Sequence, residues 1–242
     1  MRYWAIYGIL PFLLLVGLYV DGAEVSSEAA WSQWITNGLV IAAFLWIYLH
    51  ATRQVQRLMV YGLLVATGGE MVFSLLLGMY TYRLDNVPLY IPFGHAVVYA
   101  SVYYFVREPW IRRYQESVER GLYVAMILYA LAWLIFANDV LGFMGTMLIV
   151  WVFRKRPQIR LFFLVMFFAV ALLEILGTGF GCWVWPPIWF DLIPWVPSAN
   201  PPSGISVFYF AFDAGCLWIY KHVRPESWNR VKRMRKLKRE LT

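Results

Sequence analysis

Three carboxylates lie inside strongly apolar runs of the chain: Glu70, Glu174 and Asp213. Placing an ionisable side chain at bilayer depth costs about 2.5 to 3.5 kcal/mol on insertion scales, which makes each a candidate for chemistry. Glu70 precedes Gly78 by eight residues, Glu174 precedes Gly181 by seven, and Asp213 follows Gly204 by nine. At about 1.5 Å per residue, all three fall roughly 11 to 14 Å inside the outer helix ends. Acids on three helices at one depth are expected to converge on a common cavity. No lysine or arginine shares their apolar runs, so at least one acid is expected to hold its proton near neutral pH and to be able to act as a general acid. The competing reading is packing, with each carboxyl hydrogen-bonded across a helix interface to Ser74, Thr178, Tyr99, Tyr103 or Tyr209.

Two of these acids begin similar stretches. From Glu70 the order is Glu, Ser74, Gly78-x-Tyr80-x-Tyr82, then Pro92-x-Gly94. From Glu174 it is Glu, Thr178, Gly181-x-Trp183-x-Trp185, then Pro202-x-Gly204. A degenerate internal repeat of this kind predicts one shared site. His95, just after Pro92-x-Gly94, sits one turn from Tyr99 on the same helix face and adds a candidate proton donor. The other histidines, His50 and His222, fall on the inner side, so no metal site and no cofactor is expected. Arg83 is the sole basic residue on the outer side. It either pairs with Asp85 in a surface bridge or holds an anionic group at the cavity mouth. The catalytic candidates are therefore Glu70, Glu174, Asp213 and His95, and the substrate-binding candidates are Arg83, Tyr80, Tyr82, Tyr99, Trp183 and Trp185.

The elements that must position these residues are membrane helices. The 242-residue chain is 61% hydrophobic and 14% charged, a composition suited to lipid as solvent. Eight apolar segments can be marked, near 4–20, 34–50, 58–78, 91–106, 121–137, 140–153, 161–181 and 204–221, the sixth of them short. Asn138-Asp139 reads as the tight turn that divides the fifth from the sixth. With the amino terminus inside, every basic residue but Arg83 falls on one face. The first segment is expected to be a retained helix and not a cleaved leader, since no small-x-small site follows it. The expected fold is thus an all-α polytopic bundle of about eight spans, both ends inside. It divides into a first four-helix repeat (1–120), a second, parallel repeat (121–221) and a tail (222–242). The Trp- and Pro-rich stretch from Trp183 to Pro202 is expected to cap the bundle from outside, either as a belt at the interface or as a lid over an apolar ligand.

Trp228, Val231, Met234, Leu237 and Leu241 share one face of the basic tail, which is expected to lie on anionic inner-leaflet headgroups. The +7 net charge is therefore assigned to lipid and not to nucleic acid. Cys182 and Cys216 are placed too far apart to meet. A multi-pass location in a bacterial inner membrane follows, with membrane lipids as partners and a hydrophobic small molecule as a possible ligand.

The segment Gly78-Met-Tyr80-Thr-Tyr82, followed by Val87-Pro88 and Ile91-Pro92, resembles membrane carotenoid-biosynthesis proteins of the carotenoid hydratase type. That resemblance covers roughly 25 residues and departs at Gly94-His95. It implies addition of water to an isoprenoid double bond. The remainder looks like bacterial multi-pass proteins of unknown function. Without a P-loop, Gly-x-Ser-x-Gly, HExxH or CxxC motif, ATP-driven transport and standard metallohydrolysis are poor fits. Three functions stay open: acid/base chemistry on a lipid or isoprenoid, proton- or cation-coupled transport, and non-catalytic lipid binding or assembly.

Overall fold

The computed structural model describes residues 3–25, 30–189, 192–223 and 225–226, and most of them are helical. Five helices are long and apolar enough to cross a bilayer: α1 (Trp4–Asp21), α2 (Trp31–His50), α3 (Arg53–Leu76), α6 (Gln115–Ala137) and α8 (Pro157–Gly179). The fold is all-α, and these five helices have the length and hydropathy of membrane spans. Three more helices complete the bundle, α4 (Tyr90–Phe105), α7 (Val140–Phe153) and α9 (Ser206–Val223), and α5 (Pro109–Arg113) is a short connector. Helices therefore occupy all eight apolar segments, but among the described residues five reach membrane length and hydropathy. With 16 and 14 residues, α4 and α7 reach about 24 and 21 Å, short of a hydrocarbon core of about 30 Å. The basic tail from residue 227 onward lies outside the described residues.

α4 is the hub. It packs on α1, α2, α3 and α8, and Ala96, Val97, Val98, Ala100, Ser101 and Val102 are all buried. A helix covered on so many sides must be apolar around its circumference, which its sequence is. α6 is the opposite case: Val124, Leu128, Ile135 and Phe136 are exposed, as suits a face turned to lipid.

The ends of α3 and α8 explain the paired glycines. Gly78 and Gly181 have φ of +58° and +72°, a left-handed conformation that lets the chain leave a helix end without a side-chain clash. After each glycine the chain runs extended. Strand β1 (Thr81–Tyr82) pairs antiparallel with β2 (Trp183–Val184), so Tyr82 faces Trp183 and Thr81 faces Val184. Arg83 N–H prolongs this contact by donating to Cys182 C=O at 2.9 Å. A second small ladder joins β3 (Ile188–Trp189) to β4 (Ile193–Pro197). Neither ladder was expected.

Polar side chains hold the entries to α4 and α9. Asn37 Oδ1 on α2 accepts from Tyr90 N–H at 2.8 Å. Asp139, fully buried, caps α7 through Gly142 N–H at 3.1 Å and also accepts from Ser203 N–H at 2.6 Å and Ala199 N–H at 3.2 Å. The Asn138-Asp139 turn is present, with Asn138 left-handed at φ 52°. Gly204 then packs so closely on α7 that a β-carbon there would strike the Gly142 carbonyl. Close approach at small residues is the usual device for seating helices in lipid, where exclusion from water gives no drive.

Candidate functional site

Glu70 ends the α-helical part of α3, and the next six residues, Met71–Leu76, form a π-helical turn. Such turns change the helix phase and recur at functional sites. The extended run after Gly78 then folds back. Its alternating side chains put Tyr80 and Tyr82 on the same side of the strand. Both hydroxyls donate to Glu70 Oε2 at 2.7 Å. Burial first, and the Glu70 carboxyl second, push both tyrosines well above the usual phenol range, so they stay protonated and neutral. The other oxygen, Oε1, lies 3.3 Å from His95 Nε2 on α4.

Glu174 repeats this arrangement with other donors. Trp183 and Trp185 lie on one side of the second strand, and their indole N–H groups donate to Oε2 at 2.9 and 3.1 Å. Tyr209 of α9 donates to Oε1 at 3.2 Å. Both glutamates are buried. In each half, one carboxyl oxygen is thus committed to aromatic donors of the extended segment, and the other faces a side chain of α4 or α9.

The two acids line one cavity of about 30 Å³, together with His95, Tyr80, Tyr82, Trp183, Trp185 and Tyr209. That volume is enough for a water molecule in a polar setting. The rings of His95 and Tyr209, which serve different glutamates, are 4.4 Å apart. His95, Tyr209, Trp183 and Ile91 also wall a second cavity of about 50 Å³, whose remaining lining is mostly leucines and valines of α1, α2, α4 and α8, with Thr36, Tyr90 and Gly94. An acid pair with a water-sized space therefore adjoins an apolar slot.

No protein-family model, curated protein or solved structure matches this chain. The chemistry has to be read from the geometry.

Seven of the ten predicted site residues meet in the glutamate cavity, and three do not. Asp213 lines a neighbouring space with Tyr99. Its depth was counted from Gly204 as though that residue marked the outer surface. Gly204 instead sits against Gly142 and Thr146, up to two turns into α7, so α9 starts deeper and carries Asp213 below the glutamates. Arg83, expected beside Asp85 or at the cavity mouth, makes a buried ion pair with Asp21 at 2.7 Å and reaches Ser32 at 3.2 Å. Asp21 also accepts from Tyr90 O–H at 2.8 Å. The reason is burial: an arginine 4% exposed needs a full counter-charge close by, which Asp21 supplies from the end of α1. Ser74 and Thr178 bond backbone carbonyls and not the carboxyls.

Reading the residues alone missed the role of Asp21. Three acids in the first outer loop facing one outer arginine were the available signal. Tyr209 was named as a partner for packing only, yet it reaches Glu174. Cys182 and Cys216 are both free. Burial and then Asp21 push the Cys182 thiol up to about 12, leaving it inert as a nucleophile.

Proposed function

We propose that this protein is an intramembrane enzyme that uses Glu70, Glu174 and His95 for acid/base chemistry on an unsaturated lipid or isoprenoid. In this reading the bundle has eight spans with both ends inside and two parallel four-helix repeats. It sits in a bacterial inner membrane with its basic tail on anionic headgroups. The observation that carries the reading is the cavity in which two buried glutamates and a histidine meet beside an apolar slot.

The chemistry balances without a cofactor. A protonated glutamate gives its proton to one carbon of a double bond, and the other carbon becomes cationic. The partner carboxylate and the faces of Trp185 and Tyr80, whose ring centroids are 4.5 Å apart, stabilise that charge. A water in the cavity adds its oxygen to the cation and loses a proton to the carboxylate, so the pair ends with the proton count it began with. Hydration of an alkene is also what the resemblance to carotenoid hydratases implies. The apolar slot between α1 and α4 would take the flanking chain.

The test compares isoprenoid and polar lipid extracts from native cells, cells lacking the protein, and cells expressing Glu174→Gln at matched levels. One unsaturated species should accumulate equally in the last two, with product at least about 100-fold down, as general acid–base contributions run. Unchanged extracts would sink the enzyme reading. They would favour proton-coupled transport, which a further cavity beside Asp213 supports and which an uptake assay would then address.

A further inference from the structure

Asp213 is the one acid of the three that the glutamate cavity leaves out. It is 9% exposed, and its Oδ2 has no hydrogen-bond partner among the described residues. A buried carboxyl oxygen without a donor is costly and calls for a reason.

Its position supplies one, because two cavities meet at Asp213. The first, about 20 Å³, is shared with Tyr99, Cys216, His95 and Tyr209. The second, about 200 Å³, is lined by Asp213, Tyr99, Gln54, Arg107, Arg112 and Gln158. Gln54 and Gln158 stand at the beginnings of α3 and α8, whereas Glu70 and Glu174 stand near the ends of those same helices. The large cavity therefore opens at the end of the bundle opposite the Trp- and Pro-rich loop. His95 and Tyr209 wall both the 20 Å³ space and the glutamate cavity. Three spaces, each large enough for water, are thus strung along the bundle, the outer two meeting the middle one at Asp213, Tyr99 and Leu58 and at His95, Tyr209 and Phe212. On the other side, Trp183 and Trp185 are buried and the β1–β2 pairing closes over the acids.

We infer that Asp213 is the proton-transfer residue of an entry route that connects the glutamate pair to the basic, inner end of the bundle. A proton passes from water in the large cavity to the Asp213 carboxylate, and from Asp213 through water in the small space to the His95 ring. The ring takes it on one nitrogen and releases one from Nε2 to Glu70 Oε1. One proton enters and one reaches the glutamates, and the reverse path returns it. The titratable groups facing Asp213 are Tyr99 and His95 from α4 and Cys216 and Tyr209 from its own helix, with Tyr103, Arg107 and Arg112 further out in the large cavity. From α3 and α8 the small space meets only Leu58, Gly62, Ala66 and Met166, none of which titrates. The route sets the resting protonation of the pair from the inner side, and it rests on the reading of Glu70 and Glu174 as an acid/base pair.

The test is hydrogen–deuterium exchange of the protonated carboxyl C=O band in full-length protein reconstituted in lipid, read by infrared spectroscopy without substrate. Glu70→Gln and Glu174→Gln assign the band. Asp213→Asn should slow its exchange at least tenfold, and Asp213→Glu should restore the rate. Gln158→Trp, which fills the large cavity without touching the acid, should slow it as well and covers the case in which Asp213→Asn fails to fold. Exchange at the native rate in Asp213→Asn or Gln158→Trp would overturn the route and leave the enzyme reading intact. A native protein with no glutamate band at all would overturn both.

Discussion

Glu70 and Glu174 occupy matching places at the ends of matching helices, yet their donors differ in kind. Tyr80 and Tyr82 carry hydroxyls, which can donate or accept, whereas Trp183 and Trp185 carry indole N–H groups, which only donate. Oε2 of Glu174 is therefore locked as an acceptor, and a proton on this acid has to sit on Oε1 and point toward Tyr209. Glu70 has no such constraint, since its tyrosines can turn and accept from either state. The same scaffold thus makes one acid whose donors can turn to follow its protonation and one whose Oε2 is held by donors that cannot accept. An acid/base pair needs that inequality, because two equivalent carboxyls would have no preferred direction for the proton.

The sharpest way to break this comparison is to delete each acid. Glu174→Ala strands two buried indole N–H groups, at about 1 to 3 kcal/mol each, so a loss of roughly 2 to 6 kcal/mol is expected. Glu70→Ala leaves two hydroxyls whose rings are 5.5 Å apart, close enough to bond each other or a water. Its loss should be no more than about half as large. Thermal unfolding of the two variants in the same detergent reads the difference, and equal losses would remove the asymmetry.

A smaller effect comes from removing one donor at a time. Trp185→Phe and Tyr80→Phe each delete one hydrogen bond to a carboxyl, worth about 1.5 kcal/mol because the oxygen keeps its other donor. Stability should fall alike in both. In the lipid extracts only Trp185→Phe should depress product strongly, since it removes a fixed donor that orients Glu174, whereas the Tyr82 hydroxyl left on Glu70 can still turn. Matching product levels would show that indole and hydroxyl are interchangeable here.

How much of this was legible in the sequence follows from which interactions are local. The acid, the helix stop and the two aromatic side chains lie within twelve residues of each other in each half. Glycine at positive φ followed by residues two apart on a strand fixes where those side chains point. Tyr80, Tyr82, Trp183 and Trp185 could therefore be placed with their acids from spacing alone. His95 and Tyr209 depend on how α4 and α9 are rotated about their axes, and nothing local encodes that. The Arg83–Asp21 pair spans 62 positions, so the nearer Asp85 was the natural but wrong partner. The depth of Asp213 failed for a different reason. Counting 1.5 Å per residue is sound within a helix, but the zero of the count is a packing fact, set by Gly204 sinking against α7. The π turns in α1 and α3 left no sequence mark that periodicity could detect.

The smallest predicted effect separates the two halves by packing alone. Gly177 follows Glu174 by three residues on the same helix face, and a β-carbon there would overlap the six-membered ring of Trp183. Gly69 adjoins Glu70, and a β-carbon there would meet the ring of Phe212. Both Gly→Ala changes overpack the interior, and each should cost about 1 kcal/mol. Their consequences for the acids should differ. Gly177→Ala pushes the very indole that donates to Glu174, so it should lengthen that bond, shift tryptophan emission and lower product. Gly69→Ala pushes a phenylalanine that donates to nothing, so Glu70 should keep Tyr80 and Tyr82 at bonding distance. Emission and product should then stay near native while stability falls by the same amount. If Gly69→Ala depressed product as much as Gly177→Ala, the cavity would be sensitive to its walls in general, and the special weight given to the Trp–Glu174 contacts would have to be withdrawn.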